Sequence, residues 1–131
     1  MKLALSLITL SFVTIFAHAQ TVSCSVFKNG KFKTTYNGTI AIVERKGTHQ
    51  SEYFIRGKDT VRLDFILKWI DDCSYTLTPE PEAFEKNPKM PKNAVITVKI
   101  TDPQQNSYTQ TATSNFSDKI FISKIDVLPN N

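Results

Sequence analysis

The sequence predicts an all-β domain: an antiparallel up-and-down meander of about eight strands, curled into a lipocalin-like or half-open barrel. Three observations predict it. First, in the stretch VRLDFILKWIDDCSYTL the odd positions from Val61 to Leu77 are apolar at eight of nine places, while Arg62, Asp64 and Lys68 fall at even ones. Side chains alternate between faces along a strand, so this period of two residues specifies β structure with one buried face. Second, turn signals recur at short spacing, at Lys28-Asn29-Gly30, Asn37-Gly38, Lys46-Gly47-Thr48 and Gly57-Lys58-Asp59. Third, no long segment carries the apolar spacing of a helix. A run of short strands buries its faces only by curling or closing.

The elements follow in order. Val22 to Phe27 leads into the first turn, and Lys31 to Tyr36 alternates with Phe32, Thr34 and Tyr36 on one side. Asn37-Gly38 suits the positive φ angles of a type I′ turn, so Thr39 to Arg45 returns as the second arm of a hairpin. His49 to Arg56 continues in β structure, with Tyr53 and Ile55 opposite Phe54. Within the organising stretch Asp71-Asp72 marks a turn, because Asp hydrogen-bonds its own backbone. A three-residue loop at 70–72 would set Trp69 opposite Cys73. From Pro79 to Lys92 four prolines interrupt any ladder, which predicts a long exposed loop with one helical turn at Glu82 to Lys86. Ala94 to Thr101 reads as a strand, Asp102 to Asn106 as a turn, and Thr-rich Ser107 to Thr113 as an edge or half-solvated strand. Ser114 to Asp118 turns again, Lys119 to Val127 is the last strand, and the tail from Pro129 frays.

Residues 1–19 read as a secretory signal: Lys2, an uncharged apolar core from Leu3 to Phe16, and Ala17-His18-Ala19 before Gln20. A lipoprotein would need Cys24 directly behind the apolar core, but Thr21-Val22-Ser23 intervenes. The apolar run is too short to cross a bilayer, and no later stretch is long enough, so no membrane span is expected. The remaining 112 residues, 20–131, fit one domain, with a mild net charge of +3 once Lys2 is removed. That charge is scattered, which argues against nucleic acid as a partner. Cys24 and Cys73 are the only cysteines. In an oxidising, secreted or periplasmic setting a lone pair forms one bridge, which stabilises the fold by roughly 4 kcal/mol through loop-closure entropy.

The pattern Cys24-x-x-Phe27-Lys28-x-Gly30-x-Phe32, then Arg45-x4-Gln50-x-Glu52, then Trp69-Ile70-Asp71-Asp72-Cys73, resembles a family of small secreted proteins of Bacteroidetes-type bacteria. The family's function is unknown, and some members carry the label DNA topoisomerase IV. The likeness spans Cys24 to Leu77; beyond it only strand order and Ser107-Tyr108-Thr109 agree. The chain has no catalytic tyrosine context, acidic metal cluster or nucleotide fold to support that label. The resemblance implies a compartment and a scaffold, and no chemistry.

Arg45, Gln50 and Glu52 form the most informative polar set. With Lys46 to His49 as a four-residue loop, Arg45 pairs with Gln50 and Val43 with Glu52, and these side chains share a face with Phe54. On the inward face of a curled sheet, Arg45 would offer a fixed fork of donors to an acidic or amide-bearing ligand. A cross-strand Arg–Glu ion pair that fixes register is the plainer account. Trp69, with Phe65, Phe32, Tyr75 and Tyr53, either lines a cavity or fills a core. Asp71 and Asp72 fit turn chemistry better than paired catalytic carboxylates or a calcium loop. His49 has no assignable nucleophile beside it. No cofactor or metal set emerges. The sequence therefore predicts a non-enzymatic exported protein whose concave face takes a small apolar or amphipathic ligand through Arg45, Gln50, Glu52 and Trp69. The alternative is an interaction module, including a hydrolase inhibitor, that binds an envelope protein through a strand edge or the loop at 79–92.

Overall fold

The structure, a computed structural model, describes residues 22–130; the secretory signal expected at 1–19 lies outside the described residues. Eight antiparallel strands close into a barrel in simple sequence order: β1 (Gly30–Tyr36), β2 (Thr39–Lys46), β3 (His49–Arg56), β4 (Asp59–Trp69), β5 (Ser74–Pro79), β6 (Ile96–Thr101), β7 (Ser107–Ser114) and β8 (Ser117–Leu128). A 3-10 turn, Cys24–Phe27, precedes the barrel, and one short helix, α1 (Pro81–Lys86), follows β5. Among the described residues no helix is long and apolar enough to cross a membrane.

Local chemistry explains the hairpins. Asn37 (φ 47°) and Gly38 (φ 77°) occupy the left-handed region that a two-residue type I′ turn requires, and Tyr36 pairs with Thr39 around them. The β2–β3 register sets Arg45 opposite Gln50 and Val43 opposite Glu52, as the sequence predicts. Every strand then turns one alternate set inward. Phe32, Val43, Phe65, Leu67, Tyr75, Leu77, Val98, Ile100, Tyr108 and Ile125 form one buried cluster.

Four details differ from the sequence reading. Trp69 pairs with Tyr75 rather than Cys73, because the β4–β5 loop is longer: the Ile70 and Asp71 N–H groups both donate to Ser74 O. A slip of two residues preserves the inward face, whereas a slip of one would reverse it. β7 is the half-solvated strand of the two readings and not the edge strand, since it pairs with both β6 and β8 while most of its residues stay partly exposed. The segment Pro79 to Lys92 is not simply an exposed loop, because α1 packs against β4 with Ala83 only 1% exposed. The last turn is tighter than Ser114 to Asp118, being only Asn115-Phe116, so β8 begins at Ser117.

One end of the barrel is sealed. Cys24 is bonded to Cys73, as expected, which ties the 3-10 turn to the β4–β5 loop. The Phe27 ring enters between Tyr108 (centroids 4.7 Å apart) and Phe32 (6.4 Å). Ser23 Oγ caps the turn by accepting the Ser25 N–H at 3.3 Å, and Asp71 Oδ1 accepts the Cys73 N–H at 2.9 Å. Asp71 thus acts here as a turn residue, and Asp72 lies in the same bend.

Candidate binding cavity

Above the sealed end a cavity of about 520 Å³ opens inside the barrel. Its wall carries Val43, Phe54, Phe65, Leu77, Ile96 and Val98, all supplied by the inward sets of β2 to β6. Phe116, Phe121 and Lys119 stand at the β7–β8 hairpin, and Asn87 and Met90 close the side that β5 leaves uncovered. Gln110 and Glu52 are the polar groups from mid-strand positions.

Below the cavity sits the Arg45 network. Arg45 is 3% exposed and Gln50 2%. The Arg45 Nε–H donates to Gln50 Oε1 at 2.9 Å, Nη1 to the Phe27 carbonyl at 2.6 Å, and Nη2 to the Tyr75 hydroxyl at 2.8 Å and the Tyr108 hydroxyl at 3.3 Å. The guanidinium carbon also lies 4.7 Å from the ring centroids of both Phe32 and Tyr75. Burial alone would lower the Arg45 pKa; the Tyr75 and Tyr108 oxygens and the Glu52 carboxylate outweigh it and raise it. Burial pushes the Tyr75 and Tyr108 hydroxyls up against the pull of Arg45, so both stay neutral.

Glu52 is linked to this network through an amide: Gln50 Nε2 donates to Glu52 Oε1 at 2.7 Å. The direct Arg45–Glu52 ion pair of the plainer sequence reading is replaced by this relay, because Gln50, opposite Arg45 in the ladder, stands between them. Glu52 is half-buried and faces the cavity. Its removal from water raises its pKa, and the Gln50 hydrogen bond and the Arg45 charge only partly offset that.

The four residues expected to hold a ligand therefore divide. Glu52 lines the cavity, whereas Arg45, Gln50 and Trp69 do not. Arg45 spends its donors on the seal, and Gln50 orients Glu52. Trp69 packs against Tyr75 with centroids 4.8 Å apart and the ring planes inclined at 54°, and the Lys28 ammonium lies 5.2 Å from its ring. Sequence reasoning missed Tyr108 and the Phe27 carbonyl as partners of Arg45. The alternation of Tyr108, Gln110 and Ala112 along β7 was the available signal for the tyrosine. His49 lies at the exposed start of β3, with Nδ1 3.3 Å from Glu80 Oε1. Among the described residues no group of His, Cys, Asp and Glu is placed to hold a metal ion.

The arrangement defines an eight-stranded antiparallel barrel with one sealed and one open end. Comparison of the chain with protein-family models, curated proteins and solved structures finds no match in any of the three.

Proposed function

We propose that this protein is a non-enzymatic binding protein that holds a small amphipathic molecule outside the cytoplasm. The observation that carries the reading is the mainly apolar cavity of about 520 Å³ with a carboxylate in its wall. That volume lies within the range of small-molecule sites, which pair an apolar lining with a few fixed polar groups. An aliphatic tail packs among Phe54, Phe65 and Leu77, and a head bearing N–H or O–H donors meets Glu52. An amine head is matched to Glu52, the one carboxylate among the lining residues, and four of the five Arg45 N–H groups are already spent on Gln50, Phe27, Tyr75 and Tyr108; Lys119, at the β7–β8 hairpin, is the lining group that an acid would meet instead. The disulfide fits an oxidising compartment such as the periplasm or the exterior, and the resemblance to secreted Bacteroidetes-type proteins belongs to the same reading.

Titration with a matched pair of probes, a long-chain alkyl amine and the alkyl acid of equal length, tests it. The amine binds one to one, and Glu52→Gln weakens it by about tenfold through loss of a charge-assisted hydrogen bond. Binding of neither probe sinks the cavity reading, and preference for the acid sinks the role of Glu52.

A further inference from the structure

The cavity that holds Glu52 has a neighbour within the same barrel. A second space of about 480 Å³ is lined by Thr34, Tyr36 and Ala41 from the β1–β2 hairpin and by Ser123 from β8. These are inward positions: Thr34 and Tyr36 share parity with buried Phe32, Ala41 with buried Val43, and Ser123 with buried Ile125. The ladders explain why room is left there. Nearer the seal, Phe32, Val43 and Glu52 stand opposite one another in β1, β2 and β3. Two residues further along each strand the same places are taken by Thr34, Ala41 and Phe54, so a threonine replaces a ring and a methyl replaces an isopropyl group. On the solvent side Ile120 and Ile122 border the space, 63% and 68% exposed, beside the seam where the β1–β8 pairing ends at Lys33↔Asp126.

The two spaces meet at Phe54 and Phe121, which line both. Their polar content differs. Glu52 and Lys119 line the first, whereas among the described residues no charged side chain lines the second, whose polar side chains carry only hydroxyls. A charged head placed there would lose water without gaining a partner. An uncharged chain loses nothing by entering, and it would cover apolar surface on Ala41, Phe54 and Phe121.

From this continuity we infer that the two spaces form one bent site for a long-chain amphiphile, its head at Glu52 and the far end of its chain past Phe54 and Phe121 in the second space. The inference rests on the reading of the first cavity as a ligand site and adds the length of the guest. Ala41 then sets that length, because a larger side chain at this position would occupy the space that the chain end needs.

Equilibrium binding of octylamine, dodecylamine and tetradecylamine, each below its micelle concentration, tests this on the wild type, Ala41→Phe and Ser123→Phe. The two variants introduce a ring from different walls of the second space, so either one serves if circular dichroism shows the other to be misfolded. In the wild type, affinity rises at least tenfold at each step, from a gain of roughly fourfold per buried methylene. A folded variant binds octylamine as the wild type does and loses the gain for the longer chains. A wild type whose affinity levels off after octylamine, or a folded variant that follows the wild type along the whole series, would overturn the bent site while octylamine binding leaves the first cavity as a ligand site. Failure of all three amines to bind removes that reading, and the bent site falls with it.

Discussion

At the end of the barrel where β2 turns into β3, the inward positions carry Arg45 and Gln50, and the space between strands is filled by their hydrogen bonds and by Phe27 from outside the sheet. At the end where β3 turns into β4, the same two-residue alternation delivers Phe54, with Phe121 and Phe116 from β8 and its turn, and among the described residues none fills the space they enclose. One sheet thus has a rigid half and a roomy half. The difference lies in what is added to the strands. A polar donor with several fixed partners and a covalently tethered segment close one end, while at the other the described side chains leave the cavity between them. Binding sites gain from this division, because a packed base holds the wall residues in place while the open half accepts a guest.

The largest test of that contrast is Arg45→Ala. It leaves the Tyr75 and Tyr108 hydroxyls, the Phe27 carbonyl and Gln50 without their donor, and the expected loss is up to about 5 kcal/mol, as for breaking other buried charged networks. Urea unfolding measures it. A loss below about 1 kcal/mol, as for an exposed pair, would mean that the sealed end is not held by this residue.

Next in size is the double variant Cys24→Ser with Cys73→Ser, which frees a 49-residue loop. Loop-closure entropy puts the cost at about 4 kcal/mol. The sharper outcome is spatial: protection of the Phe27 and Tyr108 amides from hydrogen exchange should fall before that of β3 and β6. Uniform loss across the barrel would erase the distinction between the halves.

The smallest effect belongs to the cavity. The folded-state pKa of Glu52 is raised above the ordinary 4.5, so the folded protein holds that proton more tightly than the unfolded chain does. The associated stability is fully present below 4.5 and is lost as pH rises through the raised folded-state value. Glu52→Gln should therefore flatten stability against pH above 4.5 and leave the variant at least as stable as the wild type near neutrality. Unfolding midpoints in a pH series check this, and a variant that loses stability at neutral pH would contradict it.

Much of the architecture was legible because it rests on local chemistry and parity. The alternation from Val61 to Leu77, the Asn37-Gly38 turn and the Arg45–Gln50 register each depend on a few neighbouring residues. The Cys24–Cys73 bridge followed from there being no other partner. What escaped depends on distance. Whether Trp69 faces Cys73 or Tyr75 turns on how Asp71 folds the loop, and either register keeps the same face buried. That Arg45 would bond Tyr108 and the Phe27 carbonyl needs partners 63 and 18 residues away in the chain brought to one guanidinium. Ala83 belongs to the same group. Its burial follows from the length by which β4 outruns β5, and no pattern within Pro79 to Lys92 announces it.

The bridge from Cys24 to Cys73 also decides where mechanical load enters the molecule. A pull on the chain upstream of Cys24 passes through a covalent bond into the β4–β5 loop on the far side of the barrel and bypasses β1. The three-pair seam between β1 and β8, the shortest ladder in the sheet, is therefore out of line with the force. Tethered by its front end to any surface, the barrel would be held by its strongest joint rather than unzipped from its weakest.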